Sequence, residues 1–438
     1  MHFAGQPGRI CLVFKLHTNF FVNIRLETMQ IYKNMQILLS MLEKYIEIWY
    51  KYRGDILLYL EEEIMEEQSP IVGKLSIISM RGCEEITGKI DWYLRQFRKE
   101  YEDQESYVTH ITCPRFGTGE GKCVINETVR GHDVYIICDV FNHGVTYKMY
   151  QEVNHMSPDD HYQDLKRIIA AISGKARRIT VVMPMLYEGR QHRRTARESL
   201  DCATALQELV SMGVSNIITF DAHDARVQNA IPLHGFDDVQ TTYQMIKAIT
   251  RAVPDISFEK EDTIVISPDE GGMHRCMYYS SVLEIDLGMF YKRRNYSVVV
   301  DGKNPIEAHV YLGRDVKGKD IIIVDDMISS GESVLDIAAK LKEQGAKRIF
   351  VFTAFGLFCN GLEKFDKAYQ SGIINKIFTT NLIYRVPGLL ERDWYCEVDM
   401  SKYISLLIDT LNHDETISQL LVPVTRIKKL LEKRNASK

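Results

Sequence analysis

The sequence from Asp320 to Phe352 reads DIIIVDDMISSGESVLDIAAKLKEQGAKRIFVF, which predicts a strand, an acidic turn, a loop of small residues, a helix and a second strand. The β-branched run from Ile321 to Val324 is typical of a strand that is buried on both faces of a parallel sheet. Apolar residues then recur at helical spacing, and Gly345 ends the helix before the second strand begins. This stretch therefore predicts an α/β fold.

The end of the first of these strands is a candidate phosphate site. In α/β sheets, ligands bind at the carboxyl ends of the strands. Asp325 and Asp326 would lie there as carboxylates that suit sugar hydroxyls. The following small residues could close their backbone N–H groups around a phosphate as the next helix begins. These residues are Ser329, Ser330, Gly331 and Ser333. The alternative is that the acids only terminate a strand and the serines only cap a helix.

Length and composition restrict the class of protein. A chain of 438 residues exceeds one typical core, so we expect two α/β domains and an appendage. The net charge of −5 argues against nucleic acid as a partner. The nine cysteines include no CxxC pair, which is typical of reduced thiols in a cytoplasmic protein. The stretch from Ile10 to Leu26 is rich in apolar residues, but it also contains too many polar residues to span a membrane.

Strand and helix patterns alternate from Lys74 onward, as in parallel sheets that are covered by helices on both faces. We predict one domain at residues 74–235 and a second at residues 236–420, with a helix from Val239 to Val253. Residues 1–66 have a different texture, rich in aromatic residues and methionine. They are either an added helical layer or a translated leader that precedes a true start at Met65.

Acidic side chains and histidine follow two other predicted strands. The motif SPDEGG places Asp269 at a strand end, before two glycines that let the backbone approach a ligand. The motif FDAH places Asp221 and His223 two residues apart, so that both could reach one cation or phosphate. The alternatives are a tight turn for the first motif and a solvated loop histidine for the second.

Basic residues follow two further predicted strands. Arg190 opens an arginine-rich segment that suits a polyphosphate, although a charged loop in contact with solvent has the same composition. The run from Lys292 to Arg294 follows a strand predicted to end at Tyr291, where it could neutralise a transferring phosphoryl group. All five motifs fall at the same end of successive strands, and this co-occurrence favours a phosphate-handling site.

The chain contains, in this order, the motifs RFGTGE, VRGHDVYII, GRQ, FDAH, SPDEGG, KRR and VDDMISSGES. These motifs and their order resemble those of the ribose-phosphate pyrophosphokinase family, also called phosphoribosyl pyrophosphate synthetases. The resemblance covers nearly the whole chain after Lys74. It implies two phosphoribosyltransferase-type α/β domains, with parallel sheets flanked by helices, plus an N-terminal extension. It also implies transfer of the diphosphoryl group of ATP to the 1-hydroxyl of ribose 5-phosphate with Mg²⁺, a reaction of nucleotide biosynthesis that yields phosphoribosyl pyrophosphate and AMP.

The resemblance assigns the ATP-binding residues. Phe116 matches the aromatic residue that stacks on adenine, and Glu120 matches the acid of the same loop. A neighbouring subunit commonly contributes this loop, which implies a homo-oligomer built from dimers and often a hexamer. Arg190 and Gln191 match the pair that holds ATP, and His223 matches the histidine near the magnesium triphosphate.

The resemblance also assigns catalytic and metal-binding residues. Lys292 and Arg294 match the basic pair that stabilises the transition state. Asp269 matches the acid beside the ribose phosphate and the metal, and we predict that His223 and Asp221 are the other metal ligands.

The remaining assignments concern the sugar phosphate. Asp325 and Asp326 match the carboxylates on the ribose hydroxyls, and residues 329–333 match the loop that grips the 5-phosphate. His192 and Glu332 depart from the family pattern, which usually has an acid and a glycine there. A carboxylate at position 332 would repel phosphate unless it points to solvent. Two other functions stay open: a non-catalytic regulatory homologue of a synthetase, and a phosphoribosyltransferase that consumes phosphoribosyl pyrophosphate.

Overall fold

The computed structural model describes residues 71–102, 104–294 and 306–435, together with two isolated helical positions at Ser40 and Lys44. Of the strand residues, positions 292–294 and 306–309 are described by their backbone alone. The chain divides into two compact units, Met1–Ser69 and Pro70–Lys438. The predictions for residues 1–66 and for a start at Met65 lie outside the described residues.

The second unit alternates strands and helices as predicted. In chain order, its strands are β1 Leu75–Ser79, β2 Ile111–Thr112, β3 Val124–Ile125, β4 Asp133–Ile137, β5 Thr146–Met149, β6 Glu152–His155, β7 Arg178–Val182, β8 Asn216–Phe220, β9 Gly235–Val239, β10 Thr263–Ser267, β11 Asp286–Arg294, β12 Ile306–Leu312, β13 Asp320–Ile328, β14 Arg348–Gly356, β15 Lys376–Thr380 and β16 Tyr395–Val398. Its α-helices are α1 Glu84–Arg98, α2 Pro158–Ile172, α3 Asp201–Ser211, α4 Thr242–Ala252, α5 Met273–Leu283, α6 Glu332–Glu343, α7 Glu363–Gln370, α8 Ser401–Asn412, α9 Ser418–Leu421 and α10 Val424–Asn435. In the described part of the chain, no helix has the length and apolarity needed to cross a membrane.

The first half of this unit contains a parallel sheet of five strands in the order β1-β4-β7-β8-β9. All five residues of β4 are buried, as expected for a central strand with helices on both faces. Two short antiparallel ladders lie outside the sheet, β2 with β3 and β5 with β6. The predicted α/β class with helix-covered parallel strands is therefore confirmed for this half.

The second half contains a sheet of seven strands in the order β12-β11-β10-β13-β14-β15-β16. Every neighbouring pair is parallel except β11 and β12, which form an antiparallel edge. On β13, Ile321 and Ile323 pack into one apolar cluster, whereas Ile322 and Val324 pack into another. Successive side chains of a strand point to opposite faces, so both faces of this sheet are buried as predicted.

Three local predictions were wrong. Gly235–Val239 forms strand β9, and helix α4 begins at Thr242 rather than at Val239. Asp325 and Asp326 lie within β13 rather than in a turn after it, because β14 continues to pair with this strand as far as Ile328. Likewise, residues 292–294 continue β11 instead of following it, since they pair with β12.

An aspartate–arginine pair joins neighbouring strands at the amino end of both sheets. Arg178 donates from Nε and Nη2 to the two carboxylate oxygens of Asp133, at 2.8 and 2.6 Å. Arg348 binds Asp320 in the same way, at 2.9 and 2.6 Å. Each pair consists of the first residues of two adjacent parallel strands. The two halves therefore share a bidentate clamp at the amino ends of their strands, away from the carboxyl ends where ligands bind.

Candidate active site

The loop between β13 and α6 has the geometry of an anion site. Residues 329–331 connect the two elements, and Gly331 occupies the helix N-cap with a φ of +79°. Gly331 has no side chain to cap the helix, and the one side-chain contact in the first turn is a long bond of 3.4 Å from the N–H of Glu332 to the hydroxyl of Ser330, so the first-turn amides can donate to a bound anion. A Cβ atom at Gly331 would overlap the ring of Phe365, which is fully buried. Both the backbone conformation and the neighbouring ring therefore require glycine here.

Glu332 does not oppose phosphate binding at this loop in the way that its charge suggests. Its side chain is 65% exposed, and Lys364 Nζ lies 2.7 Å from Oε1. The hydrogen bond from Lys364 also lowers the pKa of Glu332. The carboxylate is thus paired with Lys364 and points to solvent. A carboxylate in this orientation is compatible with a phosphate bound at the loop.

The two adjacent acids on β13 differ in their environments. Burial and the neighbouring carboxylate of Asp326 raise the pKa of Asp325. Burial also acts on Asp326, but the hydrogen bond with His223 and the charge of Arg275 outweigh it, so the pKa of Asp326 is lowered. The pair therefore offers two neighbouring carboxyl groups whose pKa values are shifted in opposite directions.

His223 connects the two halves at the site. It follows β8 of the first sheet, and its Nδ1 lies 2.7 Å from Oδ2 of Asp326 on the second sheet. This hydrogen bond raises the pKa of His223. Because Asp326 takes Nδ1, the ring presents Nε2 to a ligand, and the carboxylate fixes its orientation. The structure therefore brings two of the predicted site residues into direct contact.

Arg275 is a site residue that the sequence analysis did not assign. It lies on α5, and its Nη2 is 3.4 Å from the carbonyl oxygens of Asp221 and Ala222. Burial lowers the pKa of the guanidinium, but the carboxylates of Asp221, Asp326 and Asp325 outweigh this effect and the net pKa is raised. The available signal was a basic residue shortly after the SPDEGG motif, on the helix that this motif begins.

The predicted metal ligands do not form a preassembled cage. Asp221 is buried and accepts hydrogen bonds from the hydroxyl and the backbone N–H of Thr241. Burial raises the pKa of Asp221. Asp269 is partly exposed and accepts a bond of 3.1 Å from the N–H of Gly272. Across the residues that the structure describes, no three or more His, Cys, Asp or Glu side chains are grouped to hold a metal ion.

Two cavities meet at Arg190. One, of about 130 Å³, is lined by Arg190, His223, Asp326 and Phe355 among others. The other, of about 560 Å³, is lined by Arg190, Gln191, His192 and Arg193 among others. The structure therefore brings Arg190 of the predicted ATP-binding pair into the same cavity as Asp326 of β13, and this cavity is lined by residues of both halves.

Phe116 and Glu120 lie elsewhere, at the tip of the hairpin formed by β2 and β3. The backbone N–H of Phe116 donates to the carbonyl of Glu120 at 2.7 Å. The ring of Phe116 is 54% exposed, and Thr118 donates to the Glu120 carboxylate at 2.9 Å. Neither residue lines the two cavities at Arg190. An exposed aromatic ring on a protruding hairpin is available to a base or to a second copy of the chain.

The predicted catalytic pair lies on β11. The backbone of Lys292 pairs with His309 of β12, and the register shifts between Arg293 and Arg294. The side chains of Lys292 and Arg294 lie outside the described part, so their catalytic assignment stays a prediction.

The fold and the loop define a transferase of the phosphoribosyltransferase type. Residues 75–213 match the N-terminal domain of ribose phosphate pyrophosphokinase, and residues 235–389 match the phosphoribosyl transferase domain. A solved structure with this fold is the phosphoribosylpyrophosphate synthetase from Mycobacterium smegmatis, with a TM-score of 0.62 and 20% identity. That comparison covers 78% of this chain and 99% of the other.

Curated relatives identify the family. The chain is 32% identical to the ribose-phosphate pyrophosphokinase of Mycoplasma pneumoniae over 278 residues, which are 62% of this chain and 76% of the relative. It is 29% identical to the Vibrio cholerae ribose-phosphate pyrophosphokinase over 314 residues, or 70% and 90% of the two chains. The chain belongs to the ribose-phosphate pyrophosphokinase family, whose members are transferases.

Proposed function

We propose that this chain transfers the diphosphoryl group of ATP to the 1-hydroxyl of ribose 5-phosphate, giving phosphoribosyl pyrophosphate and AMP. The observation that carries the proposal is the contact between His223 and Asp326 within a cavity that Arg190 also lines. This contact joins the residues of one half that are predicted to bind the triphosphate to the carboxylates of the other half that are predicted to bind ribose. The two substrates must meet in this way for a direct transfer.

Ribose 5-phosphate is the substrate that fits β13 and its loop. The amides at the start of α6 receive the 5-phosphate, and the hydroxyls of Ser329, Ser330 and Ser333 add donors around it. Ionised Asp326 accepts from a ribose hydroxyl. Asp325 adds a second carboxyl group that bonds the ribose hydroxyls. Together these contacts place the sugar with its 1-hydroxyl towards the cavity at Arg190.

Diphosphoryl transfer needs placement and positive charge more than covalent participation by the protein. Arg190 and Gln191 hold the triphosphate, and His223, whose Nδ1 is bonded to Asp326, presents Nε2 towards the magnesium triphosphate. Lys292 and Arg294 supply fixed charge where negative charge grows in the transition state. Phe116 and Glu120 bind adenine from the hairpin of a neighbouring copy, which makes the active assembly a homo-oligomer.

Mg²⁺ fits the donors that are present, although they form no cage. The ion usually takes one or two protein carboxylates and completes its shell with water and substrate phosphates. Asp269, which is partly exposed at the carboxyl end of β10, is the principal protein ligand, and Asp221 and His223 are the others that we propose. When bound with ATP, the ion neutralises the charge of the phosphate oxygens.

The test is an assay of the purified full-length chain with ATP, Mg²⁺ and ribose 5-phosphate that follows AMP and phosphoribosyl pyrophosphate together. Equal amounts of both products are expected. Absence of both across magnesium and phosphate concentrations would favour the regulatory homologue. Release of pyrophosphate from phosphoribosyl pyrophosphate and a base would identify a phosphoribosyltransferase instead.

A further inference from the structure

The hairpin that carries Phe116 and Glu120 keeps one register from base to tip. Strand pairs, an isolated bridge and backbone hydrogen bonds all join residues whose positions are mirrored about residue 118. These pairs are Ile111 with Ile125, Thr112 with Val124, and Arg115 with Gly121, together with hydrogen bonds of His110 with Asn126, Pro114 with Lys122 and Phe116 with Glu120. In this register, Cys113 lies directly opposite Cys123.

This cysteine pair occupies a non-hydrogen-bonded site of the ladder. Backbone hydrogen bonds join residue 110 with 126, 114 with 122, and 116 with 120. The facing pair of residues 113 and 123 therefore lies between hydrogen-bonded pairs. Opposite residues at such sites have Cα atoms about 4.5 Å apart, and their side chains share one face. A disulfide requires a Cα separation of roughly 4.4–6.8 Å. Both thiols are free and partly exposed.

The surroundings of the pair activate one thiol. A hydrogen bond with Cys123 lowers the pKa of Cys113 against the opposing effects of burial and of the Asp164 carboxylate, and the charges of Arg81 and Arg115 also lower it. The same pairing raises the pKa of Cys123. Arg115 is held in place by a bond of 2.8 Å to Asp164 of α2. Because the thiolate is the nucleophile in thiol–disulfide exchange, Cys113 is the attacking group and Cys123 the resolving one.

We propose that Cys113 and Cys123 are a redox modification site, at which a small-molecule disulfide such as oxidised glutathione converts them into a reversible cross-strand disulfide. The Cys113 thiolate attacks one sulfur of the small disulfide, forms a mixed disulfide and expels one thiolate. Cys123 loses its proton to solvent and attacks the Cys113 sulfur, which expels the second thiolate. Two protein thiols are oxidised to one disulfide, and the small disulfide is reduced to two thiols.

The bond would act on the hairpin tip. It would tie the strands together below Phe116 and Glu120, in a two-stranded ribbon that is only marginally stable by itself. Restricting such a segment lowers the ordering cost of binding. This consequence rests on the proposed function, in which the tip binds adenine. We expect the oxidised protein to have a KM for ATP at least about twofold lower than the reduced protein.

Mass spectrometry tests the bond without reference to activity. The reduced full-length protein is incubated with oxidised glutathione, alkylated with N-ethylmaleimide and digested. We expect linked peptides that contain Cys113 and Cys123, which separate on reduction. Cys123→Ser should retain glutathione on Cys113, whereas Cys396→Ser, which removes a partly exposed thiol on β16, should still form the bond. Full alkylation of both thiols in the wild type, or linkage to other cysteines, would overturn the proposal.

The kinetic arm separates the two claims. The KM for ATP of the wild type should fall on oxidation, return with dithiothreitol, and not change in Cys123→Ser. A linked protein with an unchanged KM would contradict the effect on ATP binding and leave the disulfide established. A linked protein that forms no AMP in either state would contradict the proposed function but not the modification site.

Discussion

Replacement of Gly331 by alanine tests whether the loop before α6 binds the sugar phosphate through its backbone. Gly331 has a φ of +79°, and an added Cβ would lie 2.8 Å from Cε2 of Phe365 and closer still to its Cζ. The ring has little room to move, because Phe358 packs on it edge-on at 5.0 Å and Trp394 stacks on it at 5.5 Å between ring centroids. We therefore expect the loop backbone to shift instead.

Two contributions determine the loss of stability. A left-handed conformation costs an L-residue about 1–2 kcal/mol. Overpacking a buried site costs about 1–3 kcal/mol more. The free energy of unfolding should therefore fall by about 2–5 kcal/mol in Gly331→Ala. Gly318, in the turn before β13, provides the matched control, because its φ is +74° and a Cβ there would meet nothing within 4 Å. Gly318→Ala should lose only about 1–2 kcal/mol.

Urea unfolding measures both losses, and steady-state kinetics measures ribose 5-phosphate binding. Loss of one well-aligned hydrogen bond to a charged group costs about 1.5–3 kcal/mol, so the KM for ribose 5-phosphate should rise about tenfold or more in Gly331→Ala. It should be unchanged in Gly318→Ala, which alters the other end of β13. Equal unfolding free energies and equal KM values for the two variants would refute the assignment of this loop.

Three further substitutions address the charges around the site. Lys292→Ala should lower kcat by about 10³-fold while the circular dichroism spectrum is retained, and near-normal turnover would remove this lysine from the catalytic pair. In Asp326→Asn, the pKa of His223, followed by NMR titration, should fall towards its ordinary value, since the charged partner that raises it is gone. The His223–Asp326 bond accordingly contributes stability at a pH below the unfolded-state pKa of His223, and this contribution is lost as the pH rises through the higher folded-state pKa. Glu332→Gln should change the KM for ribose 5-phosphate by less than about twofold, because the carboxylate is exposed and paired with Lys364; a large decrease would show that Glu332 repels the substrate.

The strands of both sheets were predictable because buried parallel strands have a simple composition. The strands that begin at Leu75, Asp133, Arg178, Asn216 and Thr263 lie in the part of the chain where strand and helix patterns were predicted to alternate. Each consists mainly of residues with aliphatic or β-branched side chains, since both faces of the strand must be covered. The local pattern and the tertiary environment agree in these segments, so the sequence was sufficient.

The sequence failed where pairing with a neighbouring strand decided the conformation. The residues GFDDV of β9 have no clear strand pattern, yet they pair with β8 over its full length at the sheet edge. Asp325 and Asp326 read as a turn, but Asp325 pairs with Thr353 and the ladder continues to Gly356. Strand preference depends on such neighbours more than on the segment itself, and neighbours distant in sequence are not visible in a local pattern.

The candidate site was predictable as a set of residues but not as an arrangement. The motifs placed His223 and Asp326 at the ends of different strands, and the structure shows that they share a hydrogen bond across the two halves. The role of Arg275 was not visible, because its importance comes from the charges of three carboxylates on other elements. Side-chain orientation and burial depend on how the two halves pack together, which the sequence analysis did not establish.

The clamps at the amino ends of the sheets give the last prediction. Besides Arg178, the buried carboxylate of Asp133 accepts a bond of 3.0 Å from Asn412 of α8. Asp133→Ala would leave the largely buried guanidinium of Arg178 without its bidentate partner, so the free energy of unfolding should fall by about 3–5 kcal/mol. Asp255 is the matched control, because it contacts Arg348 at 2.8 Å but is 71% exposed.

Asp255→Ala should leave the free energy of unfolding unchanged within error, and an equal loss in both variants would contradict a structural role for the Asp133 clamp. Neither substitution touches the carboxyl ends of the strands, so each variant that stays folded should keep the wild-type KM for ribose 5-phosphate. Each clamp joins the amino ends of two adjacent parallel strands. The carboxyl ends of the strands are thereby left for polar and charged side chains that are placed for ligands rather than for stability.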